Sequence, residues 1–171
     1  HIGRRALAVL CADHGCVREG VTQTDSSVTR IVAENFARGL TTTSVLAQQF
    51  AVDLFPIDVG MLSAGDSRSS GVPADDEIRA TSSSQISASS GPMPTSAALR
   101  TDRVNDRCLQ HGSGDIAIEP AMSEEVGERA LALGRRLVRE LKAQGYDILL
   151  TGEMGIGNTT TSSAVAAALL G

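Results

Sequence analysis

Three short runs of apolar residues divide the chain and predict buried β-strands. They occupy residues 6–11, 54–59 and 147–151, and apart from Asp58, Asp147 and Thr151 their residues are apolar and adjacent rather than alternating with polar ones. Strands that helices cover on both faces of a sheet have this pattern. Each run leads into polar, glycine-containing sequence, which predicts a turn at the end of each strand.

Helical spacing follows the first predicted strand. Ser26 or Ser27 is placed to cap a helix, and its apolar face is predicted from positions three or four apart: Val28, Ile31, Val32 and Phe36. Gly39 stands where a glycine commonly ends a helix. A second, shorter helix is predicted around Val45, Leu46 and Phe50.

The most regular helix of the chain is predicted after Ser123, a good N-cap residue that is followed by two glutamates in the first turn. Its apolar stripe consists of Val126, Ala130, Leu133, Leu137 and Leu141. Gly145 ends it, and an alanine-rich helix is predicted over residues 159–170. Strands and helices therefore alternate, which predicts an α/β fold with a mainly parallel sheet.

The composition changes between residues 62 and 101, where Ser, Gly, Pro, Asp and Ala dominate and apolar residues are isolated. Such a segment buries too little surface to offset its ordering entropy, so a disordered or loosely held insertion is predicted. The chain then divides into a first βα portion (1–61), the insertion (62–101) and a second βα portion (102–171). The His111-Gly112-Ser113-Gly114-Asp115 segment of the second portion is predicted to be a flexible loop.

Composition and net charge make some classes of binding partner unexpected for this protein. Aromatic residues make up 2% of the 171 residues, and the net charge is -5; with no basic stripe and no stacking platform, nucleic acid is not an expected partner. No apolar stretch is longer than residues 164–170, which is far shorter than the roughly 20 residues of a membrane span. Three cysteines without a CxxC pair are expected to be reduced thiols of a cytoplasmic protein, and no metal site is expected.

Candidate chemistry collects at the ends of the three predicted strands, because ligands of parallel sheets bind beyond the carboxyl ends. The third end is the most informative: glycines at 152, 155 and 157 lead directly into a helix. Glycine permits close approach of a ligand, and a helix N-terminus favours an anion such as phosphate. The spacing is neither the dinucleotide fingerprint nor a Walker motif, so a simple tight turn capped by Asn158 or Thr159 remains the alternative.

Several polar residues near these ends have two open interpretations. Glu153 would repel a phosphate in direct contact, so it is either a group aimed at ribose hydroxyls or a ring nitrogen, or a surface glutamate. His14 is either structural and substrate-orienting or, less favoured, catalytic. Asp58 orients a ribose or its own backbone turn, and His111 is a weaker candidate to meet an anion.

Four collinear segments carry a resemblance to a known family. Gly-Glu-Met-Gly-Ile-Gly-Asn-Thr-Thr at 152–160 resembles the signature of the nicotinate-nucleotide–dimethylbenzimidazole phosphoribosyltransferases. Residues 11–15 with 19–21, 28–36, and 112–117 with 120–123 are similar to that family's first strand end, next helix and central loop. The resemblance covers most of the chain outside the 62–101 insertion.

The resemblance implies a Rossmann-like three-layer fold, incomplete in this chain, and a homodimer when complete. The implied reaction moves ribose 5-phosphate from nicotinate mononucleotide to 5,6-dimethylbenzimidazole, giving α-ribazole 5'-phosphate and nicotinate in cobalamin biosynthesis, without a cofactor. The implied substrate-binding residues are Asp13, His14, Thr24, Glu153, Met154, Gly155, Gly157, Asn158, Thr159 and Thr160.

The sequence departs from the family in three respects. The insertion is longer than the family's link, and the segment 22–25 lacks the common Ser-Pro step of the base pocket. Family members are also much longer, and their general-base glutamate lies in a C-terminal half, which leaves Glu153 as the only candidate base here. The alternatives are a non-catalytic nucleotide-binding relative, a nicotinamide-dependent oxidoreductase with an unusual glycine turn, and a fragment without a function of its own.

Overall fold

A computed structural model describes residues 3–62 and 98–171 of the chain. The elements follow in the order β1 (Arg4–Ala12), a short 3₁₀ helix (Gly15–Glu19), α1 (Ser27–Ala37), α2 (Thr42–Gln49), β2 (Val52–Gly60), β3 (Asn105–Asp106), α3 (Glu124–Ala143), β4 (Tyr146–Met154) and α4 (Asn158–Leu170). The predicted insertion at 62–101 falls almost entirely outside the described residues. In the parts of the chain that the structure describes, no helix is long and apolar enough to cross a membrane.

The four strands form one sheet in the order β3-β2-β1-β4, and every pair is parallel. β1 lies between β2 and β4: its Cys11 is opposite Asp58 on one side and Met154 on the other. Because parallel strands point the same way, this register brings the carboxyl ends of β1, β2 and β4 to one edge. The α/β class with a parallel sheet is confirmed.

Helices cover both faces of the sheet, which completes three layers. α3 packs on one face, and its Leu133, Leu137 and Leu141 join a core cluster with Phe55 and Ile57 of β2. On the opposite face, α1 and α2 contribute small side chains to a second cluster, Ala33 and Ala47. The chain has few aromatic residues, and this core is accordingly built mainly from aliphatic side chains.

α3 follows its prediction closely. The Ser123 hydroxyl accepts the backbone N–H of Val126, and Gly145 after the helix has a φ of +86°. The predicted stripe faces the core, because one strongly amphipathic face suffices to orient a long helix on a sheet. The bonded serine cap and the left-handed glycine are therefore both as the sequence predicts.

The predicted apolar face of α1 is wrong in part. Ile31 is 54% exposed, whereas Thr29 and Ala33 are completely buried. Small side chains face the sheet here because they let the helix approach closely, and the Thr29 hydroxyl gains a partner by accepting the N–H of Ile156. The apolar residues predicted for the second helix, Val45, Leu46 and Phe50, are also more than half exposed.

β4 is longer and less covered than predicted. It continues through Met154, so Gly152 lies within the strand rather than in the turn. β4 pairs only with β1 among the described strands, and Leu150 is 45% exposed. The two-residue β3 has no apolar run and was not predicted from the sequence.

Candidate active site at the carboxyl edge of the sheet

The three strand ends predicted to share a site do meet. The backbone N–H of Asp13, just after β1, donates to the carbonyl of Gly60 at the end of β2 at 3.0 Å. On the other side of β1, the Nε2 atom of His14 lies 3.3 Å from Oε1 of Glu153 in β4. The three strand ends thus lie together at one edge of the sheet, and their shared ligand site stays a prediction.

The turn from β4 into α4 requires glycine at two positions. A Cβ added at Gly155 would lie 2.6 Å from Oε1 of Glu153 and 2.7 Å from Nε2 of His14. Gly157 has a φ of +91°, a left-handed conformation that side chains disfavour, and a Cβ there would approach Val17 at 3.0 Å. The two glycines thus allow the turn to press against the end of β1 and the 3₁₀ helix.

The N-terminus of α4 is more fully bonded than the sequence suggests. Gly157 is the N-cap residue, and no side chain makes the cap hydrogen bond, so capping by Asn158 or Thr159 is not what the structure adopts. The N–H of Asn158 donates to the Gly155 carbonyl, and the N–H of Thr160 donates to the Gly157 carbonyl. An anion at this helix end would therefore displace or share some of these bonds.

His14 connects two elements of the site. Its Nε2 atom faces Glu153, and its Nδ1 atom lies 3.3 Å from the Thr161 hydroxyl of α4. The His14 side chain is 16% exposed, and that of Glu153 is 39% exposed. Part of the carboxylate is therefore open to a ligand, while the imidazole behind it is largely enclosed.

Asp13 is a deeply buried acid of the edge, at 2% exposure. Its Oδ2 atom accepts the backbone N–H of Leu62 at 2.7 Å. Burial raises the pKa of Asp13 above its ordinary value, and this outweighs the opposing effects of the Leu62 N–H, the Thr29 hydroxyl and the His14 charge. Asp13 is thus held against the segment that follows β2.

The carboxylate of Asp58 holds the backbone turn at the end of β2. Its Oδ1 atom accepts the backbone N–H groups of Gly60 and Met61 at 3.0 and 2.8 Å, and Arg30 lies 3.8 Å from its Oδ2 atom. Burial is the main cause that raises its pKa. Of the two interpretations open from the sequence, these bonds favour the orientation of the backbone.

The Gly-Ser-Gly loop, predicted to be flexible, is packed into the edge. The Ser113 hydroxyl accepts the N–H of Gly15, and the Ser113 N–H donates to the Asp13 carbonyl. Asp115 is 1% exposed. His111, a weak candidate for an anion, instead has its Nδ1 atom 3.2 Å from the Met61 carbonyl.

A cavity of about 800 Å³ opens beside these groups, between α3 and α4. Apolar side chains from α3 form one wall, and α4 forms the other. Its polar end is formed by Asp13, His14, Gln110, Ser113 and Thr161. The size is that of a small-molecule pocket, and its polar groups are concentrated where the strand ends meet.

Three other residues predicted for the site lie outside the contact between His14 and Glu153. Met154 points to the opposite face of β4 from Glu153 and packs against the α1 and α2 side of the core. Thr159 is exposed at the start of α4. Thr24 is exposed in a turn where its N–H donates to the Thr22 hydroxyl, and it is not among the described residues that line the cavity.

Sequence reasoning missed three residues that the fold brings to the edge. Thr161 contacts His14, Ser113 holds Gly15, and Thr29 holds the turn at Ile156. Thr161 directly follows the recognised motif, so its position one turn into the helix was a usable signal. Thr29 and Ser113 lie in segments that resemble the family, but residue type did not mark these two positions, because their partners are far away in sequence.

Comparisons with known proteins agree with this geometry. The model of a phosphoribosyltransferase family, DBI_PRT, matches residues 1–171. The chain is 33% identical over 170 residues to a nicotinate-nucleotide–dimethylbenzimidazole phosphoribosyltransferase of Ruminiclostridium cellulolyticum, covering 99% of this chain and 39% of the relative. It is 33% identical over 171 residues to an Escherichia coli protein of the same name, covering 100% of this chain and 38% of that relative.

Solved structures show the same likeness. CobT from Thermus thermophilus superposes with a TM-score of 0.69 at 33% identity, covering 99% of this chain and 41% of that one. A second structure, described as the nicotinate-nucleotide–dimethylbenzimidazole phosphoribosyltransferase of that organism, gives 0.73 at 32% identity over the same shares of the two chains. The chain spans about two fifths of the length of the relatives it matches. Because the family model matches the whole chain and the relatives share its fold, the chain belongs to the DBI_PRT phosphoribosyltransferase family.

Proposed function

We propose that the protein transfers ribose 5-phosphate from nicotinate mononucleotide to 5,6-dimethylbenzimidazole, which yields α-ribazole 5'-phosphate and nicotinate. The observation that carries the proposal is the turn from Gly155 to Asn158. It closes against Glu153 and His14 and opens directly into the N-terminus of α4. The relatives that share 33% identity along this chain have names that state the same donor and acceptor.

The chemistry sets the requirements of the site. The bond between the anomeric carbon and the nicotinate nitrogen breaks, and its electron pair neutralises the pyridinium nitrogen. A ring nitrogen of the benzimidazole forms the new bond to that carbon, and its other nitrogen loses a proton. The site must therefore hold the phosphate, orient the ribose and accept one proton.

The described residues suit the first two requirements. Glycines at 155 and 157 let the nucleotide approach the backbone, and Asn158, Thr159 and Thr160 add polar groups at the helix N-terminus, where a phosphate is favoured. Glu153 is beside this turn and partly exposed, in position for ribose hydroxyls or a base nitrogen. The family motifs also suggest Asp13, His14, Met154 and Thr24 as substrate-binding residues; of these four, Asp13 and His14 line the cavity.

The third requirement is a group that accepts the proton of the benzimidazole. Glu153 is the candidate base among these site residues, and it already faces an imidazole at 3.3 Å. A carboxylate that is engaged in this way is better suited to orientation than to proton abstraction. We therefore infer that Glu153 binds substrate, and that the general base is a glutamate of the family's C-terminal half.

The experiment incubates nicotinate mononucleotide and dimethylbenzimidazole with the protein encoded by the longest reading frame that contains this chain. Mass spectrometry then detects α-ribazole 5'-phosphate. Glu153→Gln is compared with Glu128→Gln, a matched change of an exposed glutamate on α3. Product that falls at least about 10-fold only in the first variant supports the proposal. Binding of nicotinate mononucleotide without product favours a non-catalytic relative, and no binding overturns the assignment.

Two further proposals rest on the family resemblance. The complete protein is proposed to be a cytoplasmic homodimer that acts on small molecules and needs no cofactor. Light scattering coupled to gel filtration would test the dimer, and subcellular fractionation would test the location. A monomeric mass for the longest reading frame would contradict the first of these proposals.

A further inference from the structure

The hydrogen bonds of Thr161 favour one assignment of the ring hydrogen of His14. The Thr161 hydroxyl donates its single hydrogen to the carbonyl of Asn158 at 3.0 Å, one helical turn earlier. Its oxygen also lies 3.3 Å from Nδ1 of His14. With its hydrogen on the nearer acceptor, the Asn158 carbonyl, the oxygen can accept, and Nδ1 then carries the hydrogen that joins the two groups. A hydroxyl turned towards Nδ1 would give the opposite tautomer, with the hydrogen on Nε2.

This assignment has a consequence at the other ring nitrogen. In a neutral imidazole with its hydrogen on Nδ1, the Nε2 atom presents a lone pair. That atom faces Oε1 of Glu153 at 3.3 Å, and two lone pairs would repel each other. A proton held between Nε2 and Oε1 removes the conflict, either on the imidazole or on the carboxyl group.

The surroundings favour a held pair over two independent side chains. His14 directly follows Asp13 in the chain, and the two side chains interact electrostatically. A Cβ at Gly155 would intrude on both partners, so the glycine keeps open the space in which they meet. Glu153 comes from β4, His14 follows β1 and Thr161 belongs to α4, so the contact joins three separate elements.

We propose that His14, held with a hydrogen on Nδ1 by Thr161, is the positioning residue of the Glu153 carboxylate. The pair fixes Oε1 of Glu153 and leaves the exposed part of the carboxylate to the substrate. His14 acts through Glu153 in this assignment and does not itself react. The kinetic part of the test rests on the proposed transferase function, whereas the spectroscopic part does not.

The spectroscopic test measures which imidazole nitrogen carries the hydrogen. Nitrogen-15 NMR spectra of the histidine rings would be recorded on the protein encoded by the longest reading frame that contains this chain. The His14 signals are those that disappear in the His14→Gln variant. We expect Nδ1 of His14 to carry a hydrogen, whether the shared proton lies on the imidazole or on the Glu153 carboxyl group; in neutral free histidine the form with its hydrogen on Nδ1 is the minor one. Thr161→Val should shift the His14 hydrogen towards Nε2, and Thr161→Ser should restore the Nδ1 form.

Ser163→Ala is the matched control. The Ser163 hydroxyl makes the same kind of bond, to the Thr159 carbonyl at 2.7 Å on the same helix, and it is exposed. This variant should leave the His14 signals unchanged. A wild-type His14 that carries its hydrogen on Nε2 alone, or a Thr161→Val spectrum equal to wild type, would overturn the proposal.

The kinetic test separates positioning from binding. In the transferase assay we expect Thr161→Val to lower kcat by about 10- to 100-fold, because reacting groups lose alignment, and to change KM for nicotinate mononucleotide by less than about twofold. Thr161→Ser should recover most of kcat. An unchanged kcat in an active Thr161→Val enzyme would overturn the positioning role. Wild-type protein with the Nδ1 form but no turnover would instead count against the transferase function alone.

Discussion

Replacement of Gly155 by alanine tests the closest packing of the site. The added Cβ would lie 2.6 Å from Oε1 of Glu153 and 2.7 Å from Nε2 of His14, and it would also meet the backbone carbonyl of Ala12. Both side chains and a strand carbonyl must move to relieve contacts this short. Inserting a methyl group into well-packed structure costs about 1–3 kcal/mol, which is the expected loss in the free energy of unfolding.

Gly152→Ala is the matched control, since the two glycines are three residues apart on one segment. A Cβ at Gly152 would make ordinary contacts, 3.6 Å from Val9 and 3.7 Å from Leu7. Alanine in a strand interior avoids the entropic cost of glycine, so this variant should be neutral or more stable by about 0.5–1 kcal/mol. Both substitutions therefore add one methyl group, and their expected effects on the free energy of unfolding have opposite signs.

Both variants would be measured by urea unfolding and by calorimetric titration with nicotinate mononucleotide. Gly155→Ala should also weaken nucleotide binding by about tenfold, equivalent to about 1.4 kcal/mol, because Glu153 is displaced. The reasoning would be refuted if the two variants were equally stable and bound the nucleotide equally well. That outcome would mean that the turn adjusts without cost and that its close approach has no role in binding.

Three further perturbations test the framework beneath the site. Leu137→Ala should lower the free energy of unfolding by about 2–5 kcal/mol because Leu137 is 4% exposed, whereas Leu131→Ala on the same helix, 66% exposed, should change it by less than about 0.5 kcal/mol. Ser123→Ala removes the bonded cap of α3 and should cost about 1 kcal/mol in chemical denaturation. Burial raises the pKa of Asp13 above 3.8, so the folded state binds that proton more tightly and wild-type stability falls as pH rises above that value. The stability of Asp13→Asn relative to wild type, measured by urea unfolding at a series of pH values, should therefore grow as the pH rises above 3.8; a flat difference would contradict the assigned burial effect.

The elements with strong local signals were predictable from the amino-acid sequence. Continuous apolar runs identified β1, β2 and β4, and the serine cap with its apolar stripe identified α3 and the face it buries. The glycines at 155 and 157 marked the turn, because positive φ and close backbone approach leave a direct trace in residue type. These features depend on neighbours within a few positions, which is the range over which sequence patterns are informative.

Other features were decided only by the tertiary structure. Thr29 rather than Ile31 faces the sheet, because a small hydroxyl residue there allows close packing and binds a distant backbone N–H. The partners of His14 lie 139 and 147 residues further along the chain, in β4 and α4. Their meeting depends on the pairing of β1 with β4, in which Leu10 is opposite Glu153. Residue types near each strand end could name the candidates, but only the register of the parallel strands could determine which of them touch.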